Sequence, residues 1–442
     1  MIKPFFDFDT NADSVLLYES SCKIVHNNKD YIGTVKVIYD FLPKDIVKLD
    51  VRFDDFVLGK YLEKQNEIEF FINDEKLDIL IISQYTMISK NNSLFFPLNA
   101  QDVKNATSIM FHIFNFYDLK LYNKIQNYTD KNIISGGFSY HHIEFEYKDY
   151  LITIHSIKEL SDSIKAIQEK GISRLTYVGK INRKDKNTIT LDEYQNIAEL
   201  LEHFLSFIKG STINLSCAVG LNSNDEALWY QLNQQQKEWK NLNSCFHPNI
   251  QTADAETILQ SLFSSFANLW EKEEWKETLH EAIYWFLSAN DGERGIDAGL
   301  ILVQTAIERL SFEYVVNSKK LLSSDEFKKL RASDKFRILF SSLKIPLNIP
   351  NELDTLTKKA KNFNWTDAPH ALTEIRNSLI HPEHKKHGKF DANIYHDAWN
   401  LSLWYLEISI LALCRYDKLY SNRIKNIEME EVPYLIDSVK NI

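Results

Sequence analysis

Arg376-Asn377-Ser378-Leu379-Ile380-His381-Pro382 is the stretch of this chain whose residue types could carry out a reaction. Its arginine and histidine stand five positions apart. Histidine exchanges a proton near neutral pH and serves as a general acid or base. Arginine stays charged and makes forked hydrogen bonds to phosphate oxygens. Together they suit RNA cleavage: the ribose 2′-hydroxyl attacks the adjacent phosphate as a base takes its proton, and a fixed cation stabilises the charge that develops. A nucleophile already inside the substrate needs no metal to generate it. By itself the spacing is common in surface pairs and helix-end salt bridges. On a continuous helix five residues turn about 500°, which leaves the two side chains about 140° apart. Pro382 cannot continue a helix comfortably, so His381 is expected at a helix C-terminus.

The elements that must hold this stretch read as helices. Leu279, Ala282, Ile283, Phe286 and Leu287 form one apolar face, and Ile296, Leu300, Val303, Ile307 and Leu310 form another. A shorter helix is expected over Lys335–Leu343, ended near Ile345-Pro346. Ala368–His381 is a fourth, with Leu372, Ile375 and Leu379 inward. Asn393–Tyr416 is a long, apolar fifth. Its most apolar part, Trp399–Cys414, is broken by Asn400, Ser402, Glu407 and Ser409. It is shorter than the roughly 20 apolar residues of a membrane span and reads as a buried helix. Asp254 and Glu256 read as a helix cap with first-turn charge.

The first half reads as strands. Val47, Leu49, Val51 and Phe53 alternate with polar residues in Ile46–Phe53, and Glu67–Ile72 is similar. Ser108–Phe116 reads as a strand buried on both faces. Ile143, Phe145 and Tyr147 alternate before a turn at Lys148-Asp149, and Leu151–Ile157 returns as a hairpin. Thr190 and Glu193 make a capping box for a helix over about 191–209, stopped by Gly210. Thr212–Leu221 is a further strand. These features predict an α+β multidomain chain: a sandwich-like, β-rich domain with one helix over 1–250, a helical bundle over 251–420, and a tail over 421–442.

The bulk numbers constrain function. The chain has 442 residues and a formal net charge of −10, so a nucleic-acid site must be a local basic patch. His384-Lys385-Lys386-His387-Gly388-Lys389, directly after the motif, supplies one. The four cysteines, Cys22, Cys217, Cys245 and Cys414, have no metal or redox spacing. The N-terminal residues do not read as a signal peptide, and a reducing cytoplasm is the expected compartment. His141-His142 lacks a further ligand at metal spacing. Gly33, Gly59 and Gly171 stand alone, with no phosphate-cradling loop. No cofactor and no metal are expected.

Arg376-Asn377-x-x-x-His381, late in an all-helical region, resembles the signature of the HEPN superfamily over about residues 255–420. Ala306-Ile307-Glu308-Arg309-Leu310 is similar to that class's second-helix pattern. The first half resembles the N-terminal domain of bacterial abortive-infection proteins of the ApeA kind. The features that carry this are Phe111-His112-Ile113-Phe114-Asn115, Leu205–Gly210, and Trp229 after Gly220. The resemblance implies a metal-independent endoribonuclease that acts as a homodimer in anti-phage abortive infection. Its substrate would be RNA, with transfer RNA as the implied class. A phage-derived trigger would act through the N-terminal domain. His381 would be the acid or base and Arg376 the phosphate ligand. Asn377 would orient the motif helix or phosphate, and Lys385, Lys386 and Lys389 would hold the RNA backbone. Glu374 or Glu308 could restrain Arg376 through a salt bridge. One alternative is a non-catalytic HEPN module that binds RNA, nucleotide or protein. Another places function in the β-rich half, with Trp229, Tyr230 and Trp239 lining a ligand site.

Overall fold

The structure, a computed structural model, describes residues 2–8, 14–41, 46–64, 67–83, 85–90, 93–98, 105–116, 119, 142–233, 240, 242–246, 255–381, 390–425 and 427–434. It is a mixed α+β chain with a β-rich N-terminal region followed by a helical C-terminal region. In chain order the first elements are β1 (Ser14–His26), β2 (Lys29–Asp40), β3 (Ile46–Phe53), β4 (Glu69–Ile72), β5 (Glu75–Leu77), β6 (Ile79–Ile81), β7 (Thr86–Ser89) and β8 (Ser93–Pro97). Then come β9 (Asn105–Ala106), β10 (Ser108–Phe114), β11 (His142–Tyr147), β12 (Tyr150–Ser156), α1 (Leu160–Lys170), β13 (Leu175–Arg183) and β14 (Ile189–Thr190). α2 (Leu191–Lys209), β15 (Leu215–Leu221) and β16 (Ala227–Asn233) complete the region.

Two seven-stranded sheets result, in the orders β5-β4-β1-β2-β3-β7-β6 and β11-β12-β13-β10-β15-β16-β8, with β9 and β14 as a separate pair. Alternation sets the register: Val35, Val37 and Tyr39 of β2 lie opposite Val51, Leu49 and Val47 of β3. All six are buried, because a period of two puts them on one face. The two sheets meet through aromatic rings. Tyr39 stacks on Phe114 at 5.2 Å, and Tyr18 lies 5.3 Å from Phe96. At Gly220 an added Cβ would fall 2.1 Å from Trp229 Cε2, so the indole needs a residue without a side chain there. The α2 capping box forms as expected: Glu193 N–H donates to Thr190 Oγ1 at 3.1 Å, and Thr190 N–H donates to Glu193 Oε2 at 2.7 Å. Gly210 follows α2 with φ 73°.

The helical region holds α3 (Ala255–Trp270), α4 (Glu273–Asn290), α5 (Ile296–Phe312), α6 (Ser324–Lys329), α7 (Ala332–Ser342), α8 (Asp354–Phe363), α9 (Ala368–Ile380) and α10 (Ala392–Leu413). A short hairpin, β17 (Leu419–Asn422) with β18 (Ile427–Glu431), closes it. A π-helical turn, Glu313–Ser318, extends α5. α10 is buried from Leu401 through Leu413. Among the described residues no helix is long and apolar enough to cross a membrane.

Compactness divides the chain into Met1–Glu202 with Ile213–Trp239, and His203–Thr212 with Lys240–Ile442. The last turns of α2 therefore go with the helices. Phe204 and Phe207 explain why: they meet Phe263 at 5.2 Å and Phe286 at 5.8 Å. The expected tail over 421–442 is likewise not separate where it is described. Arg423, 2% exposed in its side chain, is paired with Glu407 of α10 at 2.6 Å.

Candidate functional site

α9 is held firmly at its start. Asp367 is its N-cap, with Oδ1 accepting from His370 N–H at 2.9 Å. Arg337 of α7 grips the same carboxylate, Nε to Oδ2 at 2.6 Å and Nη2 to Oδ1 at 3.0 Å. Burial opposes charge on Asp367, but Arg337 and the His370 N–H outweigh it and hold the carboxyl below its ordinary range. Ala368, Ala371, Leu372 and Ile375 form the buried face. Gln304 of α5 adds a polar tie, Nε2 donating to Leu372 O at 2.9 Å.

The motif occupies the other end. Arg376 and Asn377 are half-buried in the last turn. His381 is exposed and no longer helical, with φ −114° and ψ 109°, and its N–H donates to Asn377 O. The 140° separation of a continuous helix therefore does not apply to His381. Arg376 Nε is buried and makes no hydrogen bond among the described residues. A helix C-terminus carries partial negative charge, which favours cations and disfavours a bare phosphate. Any anion bound here depends on Arg376 and on added positive charge.

Pro382, Lys385, Lys386 and Lys389 lie outside the described residues. The chain is described again at Phe390. Its ring meets Trp365 at 6.0 Å and Phe363 at 6.2 Å. Asp391 then caps α10, accepting from Ile394 N–H at 3.1 Å. Lys359 of α8 covers Phe363 at 4.8 Å and Phe390 at 5.3 Å, so a cation stands where the chain returns from the basic stretch. This lysine is not among the residues singled out from the sequence, although Lys358-Lys359-Ala360-Lys361 carries a local basic signal.

Other expectations are corrected. Glu308 does not restrain Arg376; it pairs with Lys335 of α7. Glu374 is half-buried on α9, two positions before Arg376. Arg309 of the second-helix pattern pairs with Glu281 of α4 at 2.9 Å. Trp229 is 0% and Tyr230 6% exposed, so both are core residues, and Trp239 lies outside the described residues. His142 faces His155 across the β11–β12 ladder with ring centroids 4.6 Å apart. Burial, with His142 alongside, pushes His155 down to about 4. His141 and Asp254 lie outside the described residues. Among the described residues no group of three or more His, Cys, Asp or Glu could hold a metal ion.

Comparison with known proteins places two matches along the chain. Residues 101–242 match the family described as the YopA central domain, and residues 272–433 match the YopA C-terminal domain. The chain is similar over almost its whole length to the SPbeta prophage-derived uncharacterized protein YopA of Bacillus subtilis (strain 168). The two are 25% identical over 443 residues, covering 95% of this chain and 94% of that one. No solved structure matches.

Proposed function

We propose that this chain is a metal-independent endoribonuclease of the HEPN type, active as a homodimer, with Arg376 and His381 in its reacting site. The observation that carries this reading is the state of Arg376. Its Nε is withheld from water and left without a hydrogen bond, at the helix end where the Arg-Asn-x-x-x-His spacing falls. A half-buried guanidinium without an internal carboxylate is a ready phosphate ligand.

The reaction follows from these groups. His381 takes the proton of the ribose 2′-hydroxyl as that oxygen attacks the adjacent phosphorus. Arg376 holds the non-bridging oxygens as charge builds on them. The bond to the 5′-oxygen breaks, that oxygen takes up a proton from water, and His381 returns the proton it took to solvent. The products are a 2′,3′-cyclic phosphate and a 5′-hydroxyl. Asn377 orients the phosphate or the helix end. Lys385, Lys386 and Lys389, with Lys359, supply backbone contacts. A two-fold pairing would double this basic stretch in one groove and offset the acidic net charge. The β-rich region restrains the nuclease or senses its trigger, and transfer RNA is the substrate class proposed. The similar Bacillus protein is prophage-derived, a setting in which a triggered host-killing nuclease has a use.

Purified protein incubated with total RNA and EDTA is expected to leave cyclic-phosphate ends, with cleavage lost by about 100-fold or more in Arg376→Ala and His381→Ala. If both variants cleave as the wild type does, the reading is wrong.

A further inference from the structure

Gln304 sits in the middle of α5 and is 1% exposed. Its Nε2 donates to the Leu372 carbonyl of α9 at 2.9 Å. A carbonyl can only accept, so this bond fixes which end of the amide is nitrogen. The other end, Oε1, is buried and has no hydrogen-bond partner. Leu372 stands four residues before Arg376, and in an α-helix its carbonyl lies beside the Arg376 amide. Helical side chains lean toward the N-terminus, so the Arg376 side chain covers the turn that carries Leu372. Arg376 Nε is a buried donor without an acceptor, and Gln304 Oε1 is a buried acceptor without a donor. Gln304 thus bonds α9 one helical turn before Arg376, on the turn toward which the Arg376 side chain leans. Leaving two complementary groups apart costs the desolvation of each.

We propose that Gln304 is the positioning residue for Arg376. Its Oε1 takes the Arg376 Nε–H when phosphate is bound, which leaves the two terminal nitrogens to face the phosphate oxygens. This rests on the reading of Arg376 as a phosphate ligand. Glutamine suits the task because it is neutral: it aims the guanidinium without cancelling its charge. Arg337 and Arg423 differ, since each is hydrogen-bonded to a carboxylate. Arg309 Nε also lacks a well-aligned hydrogen bond, but it lies 2.9 Å from the Glu281 carboxylate, whereas Arg376 has no carboxylate beside it among the described residues.

The test reads the Arg376 Nε–H in the full-length protein. Nitrogen-15 spectra of the arginine Nε–H groups are assigned by the signal missing in Arg376→Lys. Exchange with water is then measured with and without inorganic phosphate. In the wild type, phosphate is expected to slow exchange about tenfold, the worth of one net hydrogen bond. Gln304→Glu, whose carboxylate would take the Nε–H with or without phosphate, should show slow exchange in both conditions, and Gln304→Met should show fast exchange in both. A merely structural clamp on α9 predicts that these variants behave alike, because each removes the amide donor to Leu372. That result, or no slowing in the wild type, overturns the proposal. Should Gln304→Met not fold, Gln304→Asn, too short to span, is read in its place. Cleavage of RNA by the same proteins is scored separately. Slowing without cleavage leaves the positioning role standing and removes the nuclease reading.

Discussion

Arg423 and Arg376 belong to the same helical unit, and the fold treats their guanidinium groups in opposite ways. Arg423 enters from the β17–β18 turn and is fully used. Its Nη2 donates to Glu407 Oε1 at 2.6 Å and to the Asn243 carbonyl at 2.9 Å, and its Nε donates to Glu407 Oε2 at 2.9 Å. Nη1 reaches Asn290 Oδ1 at 3.1 Å, and the Asn290 amide goes on to the Gly210 carbonyl at 2.8 Å. One side chain thus ties together α10, the end of α4, the residues after α2 and the C-terminal hairpin. Arg376 has a cap, a clamp and an apolar face arranged around its helix, yet its own Nε is left unbonded. A buried cation with a full set of acceptors serves the fold; the half-buried Arg376, with Nε unbonded, is the group that the proposed phosphate site would use.

The largest effect expected from this contrast is on stability. Arg423→Ala strands the Glu407 carboxylate in the interior, a loss of about 3–5 kcal/mol. For a unit of this size that is a fall in Tm of roughly 10 °C by calorimetry. Replacing both partners with apolar residues, as Arg423→Met with Glu407→Leu, should recover much of it, because no buried charge then lacks a partner. If Arg423→Ala melts with the wild type, the Arg423–Glu407 latch does not hold the unit.

A second, half-buried carboxylate sharpens the point from the β-rich unit. Among the described residues no cation pairs with Glu202 on α2; its Oε1 accepts from Leu215 N–H at 2.7 Å. Burial pushes its carboxyl up to about 7, with Glu199 adding to the shift. A folded-state value above the unfolded one means the native state binds the proton more tightly. Glu202 therefore contributes most below about pH 4.5, and its contribution drains away as pH rises toward 7. Glu202→Gln keeps the acceptor for Leu215 and cannot ionise, so it should flatten the fall in Tm between pH 5 and pH 8. The expected change is a few degrees, on the order of 1–2 kcal/mol at pH 8. An identical pH profile in the variant would place the Glu202 carboxyl in the ordinary range.

Local chemistry was legible in the sequence wherever one residue type had one solution. Ile46–Phe53 alternates and is a strand over those limits. The Lys148-Asp149 turn joins β11 to β12, with Lys148 at φ 49°. The Thr190/Glu193 box starts α2, and the motif helix ends one residue before His381. What the sequence hid was pairing at long range. The β1–β2 hairpin turns at Asn27-Asn28, with φ of 50° and 59°, a signal that was present but unread. Ser323 and Glu326 cap α6 in the same recognisable way. The family resemblance offered Glu308 as a partner for Arg376, but α7 presents Lys335 to it instead. Arg423 fell within the expected tail over 421–442, because nothing local marks Glu407 as its partner 16 positions away.

The smallest stability effect is the most informative. Arg376→Ala removes a buried donor that has no acceptor, so little native hydrogen bonding goes with it. Some packing by the arginine stem is lost, and relief of the unbonded Nε offsets it. The net change is expected within about 0.5 kcal/mol of zero by urea unfolding, against the several expected for Arg423→Ala. The same substitution should remove cleavage. That combination, activity gone and stability kept, is the mark of a residue held for a ligand. If Arg376→Ala proves as destabilising as Arg423→Ala, the two arginines are the same kind of residue, and the open guanidinium loses its meaning as a site.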